Sequence, residues 1–301
     1  MSSPRIYAAV LTPLKDDLAP DTAAWLDHCR WLLKEGLTGL AILGTTSEAN
    51  SFSVDERLHL LDAIGMSDID PGRILPGTGC CAIPDTVRLS KRAVEIGCSG
   101  VLALPPFYYK PVSDDGLFAA YSEVIQRVGD QRLKLYLYHI PQNTGVPITL
   151  KLIEKLIAAY PETVVGIKDS SGDYANMLAI VKAFPGFRVL SGSDQYLLDL
   201  LRAGGAGSIT ACNNVAARLS ARVIAHWRDE KGVAAQKELS AVRLAIQQFP
   251  LVEALKEIMA AFTGRASWRT LRPPLRPLQR EQAAALIDSL DRLGFALKQA
   301  A

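Results

Sequence analysis

Residues Val164-Val165-Gly166-Ile167-Lys168-Asp169-Ser170-Ser171-Gly172 decide how the rest of the chain is read. The apolar, partly β-branched run predicts a buried strand, and it passes straight into a lysine followed by an Asp/Ser/Gly turn. A lysine at the C-terminal end of a buried strand is costly to keep charged, and desolvation favours the neutral, nucleophilic amine. Taken alone, the stretch supports two readings. Lys168 attacks a carbonyl and forms a Schiff base, or it reaches out of the strand end and pairs with Asp169.

The pattern of this stretch repeats in both directions: a short β-rich run, a Gly/Pro/Ser/Thr turn, then an amphipathic helix. Strands are expected at 6–14, 39–43, 73–77, 100–104, 134–139, 164–168, 187–191 and 207–211. Helices are expected at 21–35, 54–64, 85–96, 116–128, 149–160, 173–184, 195–203 and 216–229. Ser53 before Val54-Asp55-Glu56 and Thr149 before Leu150 are helix start signals. Alternation of strand and helix eight times over predicts an α/β fold of the (β/α)8 TIM barrel type. A doubly wound sheet is the alternative, but the even repeats and the lack of a phosphate-binding glycine fingerprint weigh against it. Residues 1–230 would form the barrel. Residues 231–301 read as helices near 232–248, 251–263 and 279–298, broken by Pro250 and by Arg272-Pro273-Pro274-Leu275-Arg276-Pro277. They are expected to pack on the barrel as a C-terminal helical extension.

Composition narrows the function classes. With 301 residues and 49% hydrophobic content the chain can bury a large core. A net charge of +2 without a run of like charges carries no nucleic-acid footprint. No stretch approaches the ~20 apolar residues of a membrane span, and the apolar run that Thr12-Pro13 ends is too short for a signal segment. The five cysteines (29, 80, 81, 98, 212) are odd in number and lack CxxC spacing, which points away from disulfides and zinc and toward a reducing cytoplasm. The four histidines (28, 59, 139, 226) are scattered, so no metal site is expected.

In such a barrel the C-terminal strand ends converge on one mouth. The second strand ends in Gly44-Thr45-Thr46-Ser47-Glu48, and the fourth gives way to the stiff aromatic loop Pro105-Pro106-Phe107-Tyr108-Tyr109-Lys110-Pro111. The fifth ends in Tyr136-Leu137-Tyr138-His139-Ile140-Pro141-Gln142-Asn143-Thr144-Gly145, the sixth delivers Lys168, and the seventh ends in Ser191-Gly192-Ser193-Asp194. Alternation puts Tyr136 and Tyr138 on one side of their strand and His139 on the other, with Tyr138 nearer the mouth. A tyrosine beside an amine can relay the protons that carbinolamine and imine steps require. Threonine hydroxyls can polarise it and hydrogen-bond a substrate carboxylate. Taken singly, Tyr138 also reads as a core tyrosine and the threonines as helix caps.

These motifs resemble those of the dihydrodipicolinate synthase/N-acetylneuraminate lyase family of pyruvate-dependent Schiff-base enzymes. Gly44-Thr45-Thr46-Ser47-Glu48 is similar to the family's GTTGE, Tyr138-His139-Ile140-Pro141-Gln142-Asn143-Thr144-Gly145 to its YNxPxxTG, and Gly166-Ile167-Lys168-Asp169 to its GxK(D/E). The resemblance runs essentially end to end. It implies that Lys168 forms the imine and Tyr138 relays protons, with no cofactor beyond that covalent link. Thr45 would join Tyr138 to a Tyr108 inserted from a neighbouring subunit, within a homotetramer. Thr45 and Thr46 would hold the carboxylate of a 2-oxo acid such as pyruvate, and Gly192 and Ile209 would lie against the substrate.

The departures from the pattern carry the substrate reading. Asn143 stands where the synthase pattern has a carboxylate-gripping arginine, and an amide cannot supply a bidentate charged clamp. Ser47 replaces the motif's second glycine and would narrow or re-polarise the carboxylate end; His139 replaces the usual asparagine. Val54, Arg57 and Cys81 replace the His, His and Asn of lysine-inhibited synthases, so lysine feedback is not expected. Lys168-Asp169-Ser170 with Asn143-Thr144-Gly145 looks closer to members that cleave 4-hydroxy-2-oxoglutarate or 2-oxo-3-deoxy sugar acids. Ser170 would face a substrate hydroxyl or distal carboxylate, although it equally suits a cap on the next helix. The expected function is therefore a class I aldolase or lyase. A dihydrodipicolinate-type synthase or a sugar-acid dehydratase uses the same imine chemistry. A non-catalytic 2-oxo acid binder is the alternative of another class, and such a binder needs neither nucleophile nor relay.

Overall fold

The computed structural model describes residues 3–296. Among them seven parallel strands form one sheet: β1 (Arg5–Ala9), β2 (Gly39–Ala41), β3 (Val101–Ala103), β4 (Leu135–His139), β5 (Val164–Asp169), β6 (Arg188–Ser191) and β7 (Gly207–Thr210). Their order is β2-β1-β7-β6-β5-β4-β3. The third expected strand, at 73–77, is not a regular strand. Its residues close the barrel through single bridges, Ile74 to Leu40 of β2 and Gly77 to Leu102 of β3. Leu75 donates to Leu40 O of β2 and Gly77 to Ile42 O just beyond it, and the Pro76 carbonyl accepts from Leu102 N–H at 2.8 Å. Thr78 N–H returns a bond to Leu102 O at 2.9 Å, but Pro76 has no N–H with which to extend the ladder back along β3. The architecture is a (β/α)8 TIM barrel with one proline-interrupted seam.

Side chains sort onto the two faces of the sheet. Tyr7, Ala9, Ala41, Leu75, Leu102, Tyr136, Tyr138, Leu190 and Ile209 fill the barrel interior as one buried cluster. Val101, Leu135, Leu137, Val164, Ile167 and Val189 face outward onto the helices. The β4–β5 pairing contains one irregularity. Leu135 pairs with Val164 but Tyr136 pairs with Gly166, leaving Val165 as an extra residue on β5. Bare Gly166 is required there, because a Cβ would stand 2.7 Å from the Tyr136 ring and 2.5 Å from Arg188 O.

The helices follow the sequence signals closely. Ser53 and Glu56 form a capping box at the start of Val54–Gly65, and Thr149 caps Leu150–Ala159. The helix expected at 195–203 divides into a 3-10 turn, Asp194–Tyr196, and a short helix, Leu197–Arg202. The next begins earlier than expected, at Asn213, and ends at Ala225. Three further helices, Glu230–Ile246, Leu251–Thr263 and Arg280–Arg292, pack on the barrel. Their Leu239, Val242, Leu255, Ile258 and Leu286 share one core with Leu32, Leu60 and Val215 of the barrel helices. Each such burial contributes roughly 1.5–3 kcal/mol. The last helix stops at Arg292, short of the expected Lys298, and Gly294 follows it with a left-handed φ of 65°. Residues beyond 296 lie outside the described part.

One buried histidine joins helix Thr22–Lys34 to the barrel. Asn214 Nδ2 donates to Ala9 O and Ala211 O, so its Oδ1 accepts, from Leu11 N–H and from His28 Nε2–H, both at 2.9 Å. Burial pushes the His28 imidazole down to about 4, only partly offset by the Asn214 bond. The unfolded chain therefore takes the proton first, and stability falls as pH drops from the ordinary histidine value toward 4, by about 3 kcal/mol. His28→Gln is expected to remove that part of the pH dependence. Urea unfolding of both proteins at pH 7 and pH 4 checks it, and equal losses for the two would refute it.

Candidate active site

The register of β4 on β5 pairs Tyr138 with Lys168 and His139 with Asp169. Lys168 and Tyr138 point into the barrel mouth and are 6% and 3% exposed. Lys168 Nζ donates to the Tyr138 hydroxyl at 3.2 Å and lies 4.3 Å from the centre of its ring. Thr45 Oγ1 lies 3.3 Å from the same hydroxyl on its other side. Burial alone would raise the Tyr138 phenol. The Lys168 charge and hydrogen bonds from Thr45, Lys168 and Ser170 outweigh it and hold the phenol below its ordinary value.

The outward pair braces the turn. Asp169 Oδ1 accepts from the N–H and hydroxyl of Ser171, and Oδ2 from Asn176 Nδ2 at 2.7 Å. Its carboxylate is thereby engaged away from Lys168, so the surface pairing of the two does not form. His139 Nδ1 accepts from Ile148 N–H at 3.1 Å and so ties the end of β4 to the loop before the next helix. Desolvation lowers the His139 imidazole despite nearby Asp169 and Asp173, which keeps that nitrogen free to accept.

The remaining candidates fall into two groups. Near Lys168, Ser170 stands against Gly192: a Cβ on Gly192 would lie 2.0 Å from Ser170 Oγ and 2.7 Å from its Cα. Asp173, not Ser170, caps helix Tyr174–Ala183. Ile209 is fully buried in the barrel interior. Thr46 is buried; Ser47 is too, but its hydroxyl donates to Val10 O at 2.5 Å and receives Gly44 N–H, bracing the turn from within. Away from this group, Asn143 is exposed on the short helix Pro141–Thr144. Tyr108 is 74% exposed, edge-on to Tyr109, and does not meet Thr45 within the chain.

Sequence reasoning missed the support under the threonines. Glu48 lies in the left-handed region and its carboxylate is held by Lys256 and by the Arg272 backbone N–H, both from the C-terminal extension. The signal was present as the acidic end of Gly44-Thr45-Thr46-Ser47-Glu48 and as a lysine within the apolar run Ala254-Leu255-Lys256. Neither residue announced the other across two hundred positions. Among the described residues no group of three or more His, Cys, Asp or Glu is placed to hold a metal ion, and no helix is long and apolar enough to cross a membrane.

A buried amine in hydrogen-bond contact with a phenol that a threonine hydroxyl meets on its other side, inside a parallel barrel, is the equipment of an imine-forming lyase. The chain belongs to the dihydrodipicolinate synthetase family, whose model matches residues 2–293. It is 37% identical to a DapA-like lyase of Chloroflexus aurantiacus, over 97% of this chain and 98% of that one. It is 31% identical to YagE, a 2-dehydro-3-deoxy-D-gluconate aldolase by assignment, from Escherichia coli K12, over 91% and 90%. The YagE structure in complex with pyruvate superposes with a TM-score of 0.87 at 27% identity, covering 97% of this chain and 99% of that one. Dihydrodipicolinate synthase from Agrobacterium tumefaciens superposes with a TM-score of 0.89 at 30% identity, covering 96% and 99%.

Proposed function

We propose that the protein is a class I aldolase that cleaves or forms the C3–C4 bond of a hydroxylated 2-oxo acid, with pyruvate as the imine-forming half. The observation that carries this is the buried contact of Lys168 Nζ with Tyr138 OH, at 3.2 Å. The Lys168 amine adds to the 2-carbonyl, and Tyr138 delivers the proton that lets water leave the carbinolamine. The imine then accepts the electron pair of the breaking C3–C4 bond while the 4-hydroxyl loses its proton, releasing an aldehyde. The enamine takes a proton at C3, and water returns to free pyruvate and the amine. Nothing but the covalent imine is needed as cofactor.

Thr45 and Thr46 hold the carboxylate, Thr45 also polarises Tyr138, and Ser47 shapes the turn beneath them. Gly192 and Ile209 lie against the bound 2-oxo acid. Ser170, relieved of capping duty by Asp173, faces the hydroxylated or distally charged part of the substrate. Asn143, at the rim, offers that part neutral hydrogen bonds only, which favours 4-hydroxy-2-oxoglutarate or a 2-oxo-3-deoxy sugar acid over aspartate semialdehyde. The assignment of YagE points the same way. The exposed, proline-flanked Tyr108 and Tyr109 are suited to an interface across which Tyr108 reaches the Thr45 of a neighbour in a homotetramer. Five unpaired cysteines suit a cytoplasmic setting.

The test is borohydride trapping with pyruvate, read by intact and peptide mass. A reduced pyruvate adduct on Lys168 is expected. No adduct there with pyruvate or with longer 2-oxo acids would overturn the imine mechanism.

A further inference from the structure

The turn that carries Thr45 and Thr46 is bounded by two non-glycine residues in the left-handed region, Leu43 at φ 56° and Glu48 at φ 60°. Side chains with a Cβ resist that conformation, so something outside the turn must hold it. Within the turn, Ser47 N–H and Ala49 N–H converge on Gly44 O, and Glu48 N–H donates to Thr45 O at 3.0 Å. The outside support comes from the far end of the chain. Lys256 Nζ, fully buried, meets Glu48 Oε1 at 2.5 Å and Thr270 O at 2.8 Å. Arg272 N–H donates to Glu48 Oε2 at 2.9 Å. The Arg272 guanidinium reaches on to Leu18 O, Ser51 O and Glu56, and stacks 4.3 Å over the Phe52 ring. Both oxygens of one carboxylate are thus bound by the C-terminal extension.

We propose that Glu48 and Lys256 are positioning residues for the reaction, a buried strut through which the C-terminal extension holds Thr45 against Tyr138 and sets the carboxylate end of the site. The inference rests on the imine reading for its chemical consequence, but the strut itself is a statement about the turn. Thr45 sits three residues before Glu48, and its hydroxyl depends on the same turn for its 3.3 Å approach to Tyr138. Release of Glu48 lets the turn relax at its strained end and carries Thr45 and Thr46 away together.

Lys256→Met alone leaves a buried carboxylate without its cation and is prone to misfold, so the informative protein is the neutral double variant Glu48→Gln/Lys256→Met. Arg269→Gln is the control: it breaks another ion pair of the extension, with Glu257, that does not touch the turn. Amide hydrogen exchange of residues 43–52 is expected to rise about tenfold or more in the double variant and to stay unchanged in Arg269→Gln. With a turned-over 2-oxo acid, the double variant is expected to lose up to about 100-fold in kcat/KM. KM for the acid should rise, and the alkaline limb of kcat should move to higher pH as Tyr138 loses its Thr45 bond. Unchanged exchange in 43–52, or an equal rise in Arg269→Gln, overturns the strut. A wild-type enzyme that traps no imine at Lys168 fails the aldolase reading instead, and the exchange comparison still decides the strut.

Discussion

Lys168→Ala is expected to lose turnover of every 2-oxo acid by about four orders of magnitude or more while remaining folded. The loss is large because, among the described residues, the amine hydrogen-bonded to the Tyr138 hydroxyl is that of Lys168. Tyr138, Thr45 and Ser170 bring hydroxyls, and only Lys168 brings an amine to the Tyr138 hydroxyl. What survives is binding of the 2-oxo acid without covalent chemistry. Stability should hold, since the Asp169 carboxylate is satisfied by Ser171 and Asn176 and keeps those partners when the lysine is gone. Removing a desolvated amine also relieves the cost of keeping it buried. Thermal unfolding should place the variant within a few degrees of wild type, and the borohydride adduct should vanish. A variant that keeps more than about a tenth of the wild-type rate would show that another group is the nucleophile.

Tyr138→Phe is expected to lower kcat by about 10²–10⁴-fold with a much smaller change in KM, because it removes proton transfer and leaves the amine in place. The adduct on Lys168 should still form, more slowly. The pH profile gives the sharper check. The folded phenol lies below the ordinary tyrosine value, since the Lys168 charge and three hydrogen bonds outweigh burial. Below its pKa Tyr138 holds a proton to give. As pH rises through that value the proton is lost, and kcat should fall along an alkaline limb placed below about 10. Tyr138→Phe should lack this limb. Its persistence in the variant would assign the proton relay elsewhere.

Much of the fold was legible because strand and helix periods differ and turn residues punctuate them. Seven strands lie where alternation predicts them, although the first ends at Ala9, short of the expected residue 14, and most helices follow their capping signals, those expected at 195–203 and 216–229 being divided and shifted. The third expected strand, at 73–77, is reduced to single bridges for a local reason. A ladder needs N–H groups, and Pro76 within 73–77 removes one that composition does not count. The end of the last helix was misread because apolar spacing continues past Gly294, where a left-handed φ ends the helix. At the mouth, Lys168, Tyr138 and Thr45 could be named because each stands at a strand end, and the structure brings these three together. Glu48, Lys256 and Arg272 could not, since their meaning lies in contacts more than two hundred residues apart. Tyr108 belongs to a third kind: its expected partner lies on another copy of the chain, and within one chain it simply faces solvent.

The extra residue on β5 has an effect far larger than its size. Val164 faces the helices, and strict alternation from there would turn Gly166 and Lys168 outward with it and Ile167 inward. Instead Val165 is inserted opposite the Leu135–Tyr136 bond, and from Gly166 onward the strand has exchanged its two faces. Ile167 is thereby delivered to the helix layer and Lys168 to the lumen. Were the same residues paired one-to-one without the bulge, Ile167 would stand opposite Tyr138 in the lumen and Lys168 opposite His139 among the helices. The difference between a nucleophile and a misplaced charge on this barrel is a single step of parity, made by one valine three residues upstream.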